Sequence, residues 1–435
     1  MLKGICCNFR DRQDKTWLGR IGRTEWVSLA RIRSDRSSRG LKVAPTSTKL
    51  PAQSGRHIPA LDGVRGIAIF ATVGIHAIYA RAIPEPPPRY LSLFHVMVFG
   101  WMGVDLFFVL SGFLITGILL DTKLSDNYFG SFYARRTLRI FPLYYGVLLV
   151  LLCLSPLIAQ TRMSVVLPVA GAWPAYFAYL QNWWIPLHPV SSAGAIGLFW
   201  SLGVEEQFYL LWPLVVFLLP KRAFVGVCVA VCLLVPVFRL DLVIHDPHSN
   251  VAFMNTFARM DTLVWGALAA VVVRAPAALQ RVRLLLPYVL AVCATVVLVI
   301  DFPLHELYER SFFTQSIGFT AIAIGSASFL LLAYFANPRG RLAGVLTHPV
   351  LRSLGRYSYG MYVLHFFLIA AVEAYLGPLP LYGHSVMFGV MVFTGIIVMS
   401  WGIAWVSYHL YEQPFLKLKS RFKAELRSPH PSSSE

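Results

Sequence analysis

Arg65 and His76 lie eleven positions apart in one apolar run, Leu61 to His76, which also carries Asp62. On an α-helix eleven residues make three turns, so the two side chains share a face and stand about 16 Å apart along the axis. Ionisable groups inside a membrane span are costly and are functional candidates by default. An arginine near one surface can hold an anionic group, and a histidine deeper in the span can move a proton. Each also has a plainer reading. Arg65 can snorkel to the interface, with Asp62 placed to pair with it, and His76 can be a neutral histidine bonded to a neighbouring helix.

Further groups of this kind recur along the chain. The run Gly100 to Phe113 places Asp105 in an apolar segment, at about the depth expected for His76. A carboxylate there would fix the histidine tautomer and raise its basicity; a helix-packing hydrogen bond is the alternative. The run Phe199 to Pro213 brings Glu205 and Glu206 into a long apolar span from its outer end. Acids are favoured at a helix N-terminus, and Ser201 is placed as its N-cap; this accounts for one carboxylate better than for two. A histidine with nearby carboxylates suits general-base catalysis on a hydroxyl. In Phe132 to Tyr145, Arg135 and Arg139 are one turn apart and suit a phosphate-bearing ligand, or ordinary anchoring at the cytoplasmic surface. Phe257 to Asp261 carries Arg259 and Asp261, and Leu354 to His365 carries Tyr362 and brings His365 to mid-membrane. His365 equally fits a structural hydrogen-bonding role. His245, Asp246 and His248 read as solvated, and Cys228 and Cys232 lack the further ligands of a zinc site; no metal site is expected.

The elements that must position these groups are membrane helices. The chain has 435 residues, 57% of them hydrophobic and only 14% charged, with a mean hydropathy of +0.61; a soluble domain is nearer about 25% charged. Apolar runs long enough to span a bilayer recur at about 61–82, 98–120, 140–160, 203–220, 222–240, 258–274, 284–301, 315–336, 357–376 and 385–411. The expected fold is an all-α integral membrane protein of about ten transmembrane helices. With ten spans the basic loops and both termini fall in the cytoplasm, as the positive-inside rule requires. Residues 163–186 are apolar too, but Pro168, Pro174 and Pro186 with Trp173, Trp183 and Trp184 read as an interfacial or re-entrant piece. Residues 1–56 hold 13 Lys/Arg and 4 Asp/Glu, +9 of the net +17. This reads as a basic, disordered cytoplasmic tail without a signal peptide, not as a nucleic-acid binder. Residues 57–416 form the membrane domain and 417–435 a short cytoplasmic tail.

These motifs together resemble membrane-bound acyltransferase family 3, the bacterial polysaccharide and antibiotic O-acyltransferases. Arg65 and His76 fit its opening pattern of a basic residue, ten residues, then histidine. Ser201, Leu202, Glu205, Phe208, Tyr209, Leu210 and Pro213 fit a second motif. The stretch Arg135 to Pro142, the Arg259/Asp261 pair, Gly355 to His365 and the closing Tyr411 to Phe415 are also similar to the family.

The resemblance implies a multi-pass protein of the inner (plasma) membrane. It implies transfer of an acyl group, usually acetyl, from cytoplasmic acyl-CoA to a hydroxyl of a lipid-linked or exported glycan. Acyl-CoA enters as co-substrate, and no resident cofactor is expected. The corresponding residue roles are Arg65, Arg135 and Arg139 at the CoA phosphates, with His76 as general base or transient acyl carrier. Asp105 or Glu205 orients or charge-balances His76, and Glu206, Arg259, Asp261, Tyr362 and His365 support the site. Many relatives carry a fused C-terminal hydrolase-like domain that this chain lacks, so where an acyl relay through such a domain is required the protein is expected to use a separate partner or to do without the relay. The rival reading is a transporter or glycan flippase, which also places ionisable groups in spans but does not consume acyl-CoA. A non-catalytic scaffold would tolerate loss of His76.

Overall fold

The computed structural model describes residues 57–79, 99–188, 195–246, 250–304, 311–376 and 386–425. The basic tail 1–56, most of the tail 417–435, and His248 lie outside them. No strand occurs among the described residues. The principal helices are α1 (Pro59–Tyr79), α2 (Gly103–Thr122), α3 (Tyr128–Ile158), α4 (Trp200–Leu218), α5 (Lys221–His245), α6 (Thr256–Val272), α7 (Pro276–Leu304), α8 (Phe319–Tyr334), α9 (Pro349–Leu376) and α10 (Val386–Ser407). Among the described residues nine helices are long and apolar enough to cross a membrane. Large apolar side chains such as Leu210, Leu214, Leu233, Leu234, Leu284 and Tyr288 remain on the surface, as a lipid-facing perimeter requires. The chain is an all-α, multi-span membrane protein.

The expected span at 258–274 corresponds to α6, which has 17 residues. At 1.5 Å per residue it is about 26 Å long, a little short of a hydrocarbon core of about 30 Å. It differs from the perimeter helices because it packs inside the bundle, with Ala258, Leu263, Val264, Ala267 and Ala270 buried without exposure.

Residues 163–186 do not cross. They break into short turns and two short helices, Trp173–Phe177 and Gln181–Leu187. Backbone freed by those breaks is bonded by neighbouring side chains: the Tyr144 hydroxyl donates to the Tyr176 carbonyl at 2.8 Å and Tyr145 to that of Phe177 at 3.0 Å. The Gln207 amide nitrogen donates to the Tyr179 carbonyl at 2.7 Å and to Asn182 Oδ1 at 2.8 Å. Its oxygen accepts from Trp183 Nε1 at 3.0 Å and Thr256 Oγ1 at 2.5 Å. Irregular backbone at membrane depth is tolerated where protein satisfies it in this way.

Two helix pairs sit at the centre, and small residues close both. A methyl group on Gly355 of α9 would lie 1.9 Å from the Asp62 carbonyl oxygen of α1, and one on Gly66 would lie 2.1 Å from that of Leu351. Likewise Gly112 of α2 would meet the Leu263 carbonyl of α6 at 1.8 Å, and Gly266 that of Val109 at 1.9 Å. Only glycine admits such backbone approach, the usual device for helix contact in lipid. The α1–α9 pair is parallel, since residues 62–66 face 351–355 and His76 faces His365.

Candidate active site

A cavity runs between α1, α2, α3, α4 and α9. At one end it is lined by Arg65, Arg136 and Arg139, further in by Ser111, Glu205 and Tyr209, and at its far end by Ser201 and Tyr362. Arg65 Nη1 lies 3.4 Å from Asp62 Oδ1, the pairing expected three residues along a helix. The Arg136 guanidinium lies 5.3 Å from the Tyr209 ring centre, within cation–π range. The Ser111 hydroxyl donates to Glu205 Oε1 at 2.6 Å. Three cations against the single lining carboxylate, Glu205, leave this mouth positive and suited to phosphate.

Beyond Glu205 the cavity ends on hydroxyls. Tyr362 donates to the Leu198 carbonyl at 2.7 Å, so Ser201 Oγ, 2.5 Å from the Tyr362 hydroxyl, donates to it. His365 follows Tyr362 by three residues, about 4.5 Å along α9. His76 Nδ1 lies 3.0 Å from His365 Nε2, and the edge of the Phe366 ring packs on His76 with centroids 6.1 Å apart. His365 is fully buried while His76 is partly exposed. Along the molecule the order is therefore arginines, Glu205 with Ser111, Ser201 with Tyr362, then the histidine pair. His76 is not in the cavity wall; Tyr362 separates the two.

Several expected placements are corrected. Asp105 does not face His76. A methyl on Gly103 would lie 2.5 Å from the Ala68 carbonyl, which sets this part of α2 two turns of α1 inward of His76. Asp105 pairs instead with Arg259, both essentially without exposure. Glu205 does not lie in the histidine layer either. It is four residues, about 6 Å, inward of Ser201 and bonds to Ser111. Glu206 is half-buried beside it, and its Oε1, which is inaccessible, has no hydrogen-bond partner among the described residues. Arg135 is exposed and does not line the cavity; Arg136 does.

Arg259 and Asp261 do not pair with each other. Arg259 takes Asp105 and lies 4.0 Å from the Phe319 ring centre. Asp261 takes Arg239, which donates to both carboxylate oxygens at 3.0 Å and also to the Ala258 carbonyl and Thr320 Oγ1. All four charges are buried. His245 is exposed beside Asp241.

The sequence reading passed over Arg136, Ser111, Gln207 and Arg239. Arg239 had a signal, a lone charge in the apolar run Phe224 to Leu240. Arg136 shares the i, i+3 face with Arg139 as readily as Arg135 shares i, i+4, so spacing alone does not choose between them.

A bundle of membrane helices around a basic-mouthed cavity with a histidine pair beyond it defines a polytopic membrane protein with an enzyme-like centre. The family model described as an acyltransferase domain, Acyl_transf_3, matches residues 58–409, and the chain belongs to this acyltransferase family. It is 28% identical over 335 residues to the peptidoglycan O-acetyltransferase OatA of Listeria monocytogenes, covering 73% of this chain and 50% of that one. It is 27% identical over 384 residues to the putative peptidoglycan O-acetyltransferase YrhL of Bacillus subtilis, covering 83% and 55%. It is 27% identical over 391 residues to a putative O-acetyltransferase of Staphylococcus aureus, covering 83% and 58%. The chain thus spans about half the length of the curated relatives it matches. No solved structure matches it.

Proposed function

We propose that this protein transfers an acyl group, acetyl in the first instance, from cytoplasmic acyl-CoA to a hydroxyl of a glycan such as peptidoglycan. The observation that carries this reading is a cavity that begins at Arg65, Arg136 and Arg139 and ends at Ser201 and Tyr362, one helical turn from His365 and its partner His76. The arginines hold the nucleotide phosphates, the extended pantetheine arm follows the cavity to Tyr362, and with that side chain turned aside the thioester meets the acceptor hydroxyl beside His76. His76 is the general base. It takes the hydroxyl proton as the acceptor oxygen attacks the thioester carbonyl; the carbon–sulfur bond breaks, and the proton passes to the departing thiolate. The names of the relatives support acetyl as the group and a glycan as the acceptor.

The test is transfer of label from acetyl-CoA into a mixed glycan and lipid extract by the protein in vesicles. Wild-type transfer that His76→Ala abolishes supports the reading. Equal transfer by both removes His76 from the chemistry. Absence of acetyl-CoA consumption by the wild type overturns the reading in favour of a transporter. Arg65→Ala is expected to weaken acetyl-CoA binding, and unchanged affinity would displace the donor from this mouth.

A further inference from the structure

The hydrogen bonds around His365 specify which nitrogen of His76 is basic. His365 Nδ1 lies 3.0 Å from the Met361 carbonyl oxygen and 2.9 Å from that of Tyr362. A carbonyl oxygen only accepts, so this nitrogen carries a hydrogen. A neutral imidazole has one N–H, which leaves His365 Nε2 with a lone pair. His76 Nδ1, 3.0 Å away, must then be the donor. The ring centroids are 5.2 Å apart with planes 28° from parallel, so the rings meet edge to edge, as an N–H···N bond in the ring plane requires. A doubly protonated His365 would reverse this direction. It would also place a charge at a site with 0% exposure, where no carboxylate of the described residues bonds to either ring, and such burial is costly.

We infer that His365 is a positioning residue that holds His76 in its Nδ1–H tautomer and so leaves Nε2 as the base. This rests on the reading of His76 as general base. The opposite tautomer already bears a hydrogen on Nε2 and cannot accept the proton of the acceptor hydroxyl. During transfer the imidazolium of His76 keeps its Nδ1–H bond to His365, so the bond serves both protonation states. The anchor is local: the carbonyls that orient His365 belong to the preceding turn of its own helix, so α9 sets the ring, and the glycine-tight contact with α1 sets its partner.

The test combines kinetics with nitrogen-15 resonances of histidine in lipid vesicles. His365→Phe is expected to lower kcat for acetyl transfer about 100-fold or more, because it loses both the tautomer preference and the bond that holds the His76 ring in place, and misplacement of a reacting group by about 1 Å costs on the order of 100-fold, with KM for acetyl-CoA unchanged within about twofold. His365→Gln retains an acceptor near the Nε2 position and is expected to recover kcat to within about tenfold of wild type, since the lost hydrogen bond is replaced and not deleted. In the wild type the His76 Nε2 resonance is expected in the unprotonated range, and in His365→Phe as a tautomer mixture. A protonated-type Nε2 in the wild type, wild-type kcat in His365→Phe, or no kinetic rescue by glutamine overturns the inference. The wild-type spectrum decides the tautomer even if the phenylalanine variant misfolds. His76→Ala in the same vesicles separates the two readings: retained turnover there overturns the general-base role, whatever the resonances of His365 variants show.

Discussion

The α1–α9 and α2–α6 interfaces are built alike and hold opposite contents. Each is closed by glycines against facing carbonyls at 1.8–2.1 Å from where a methyl would stand, and each brings together one polar pair. Across α1–α9 the pair is His76 with His365, formally neutral and partly accessible. Across α2–α6 it is Asp105 with Arg259, charged and closed off, with the Arg239–Asp261 pair beside it. A buried ion pair in a protein interior contributes register and orientation more than net stability. The comparison teaches that charge within a span does not mark the chemistry by itself. The charged pair is held where nothing can reach it, and the uncharged pair stands one turn beyond the end of a cavity.

The largest effect should come from breaking the charged interface. Arg259→Met leaves Asp105 unpaired at 1% exposure, and an uncompensated buried charge costs about 3–5 kcal/mol. Much of the protein is expected to fail to assemble, read as a large fall in Tm in detergent. The double variant Asp105→Leu with Arg259→Met removes both charges and should restore most of that Tm. It should also keep acetyl transfer within about tenfold of wild type, that is within about 1.4 kcal/mol. A stable double variant with no transfer would make the α2–α6 pair part of the chemistry and erase the contrast.

Glycine substitutions sharpen the same contrast. A methyl at position 355 would lie 1.9 Å from the Asp62 carbonyl oxygen, against 3.4 Å or more in ordinary contact, so Gly355→Ala must move α9 away from α1 by over an ångström. Misplacement of reacting groups by about 1 Å costs on the order of 100-fold in rate, and loss of turnover is expected to exceed loss of stability. On α6, which does not line the cavity, a methyl at position 266 would lie 1.9 Å from the Val109 carbonyl oxygen, so Gly266→Ala forces the same separation between α6 and α2. There the expected change is mainly a lower Tm, with turnover reduced by about tenfold or less, because Asp105 and Arg259 touch no reacting group in this scheme. Equal losses of turnover in both variants would argue against two distinct roles.

The sequence carried the first half of this arrangement. Arg65 and His76 are on one helix, so a known rise and period place them without any partner, and the structure keeps them on one unbroken α1. The run 163–186 was legible for a similar reason: three prolines and three tryptophans speak locally against a continuous span. What failed were pairings between helices. In the sequence, the depth of Asp105 is legible only as its distance to the end of an apolar run. That measure ignores how far α2 slides along α1, and the slide is set by Gly100 and Gly103 against Ala68 and Ala71. Arg259 and Asp261 are neighbours in sequence and read there as one pair, although side chains two apart on a helix do not face each other. Each found its partner on another helix. The same limit hid His365 as the partner of His76, since nothing in either run fixes which face of α9 meets α1.

The smallest effect, and the cleanest test of the cavity's mouth, concerns two adjacent arginines. Arg135 and Arg136 differ by about 100° around α3. Arg136 turns inward over the Tyr209 ring and lines the cavity with Arg65 and Arg139, while Arg135 is exposed. Both would strengthen binding of a polyanion if only the general positive field mattered, and each would then contribute equally and lose its effect in salt. If the phosphates are bound within the cavity, Arg136→Ala should raise KM for acetyl-CoA about tenfold, the worth of one charge-assisted hydrogen bond. That rise should persist at high ionic strength. Arg135→Ala should change KM by about twofold at most and only at low salt, as for an exposed charge. The reverse order would mean that the donor sits outside this cavity, on the exposed face of α3, and the path from the arginines to the histidine pair would no longer describe the route of the acyl group.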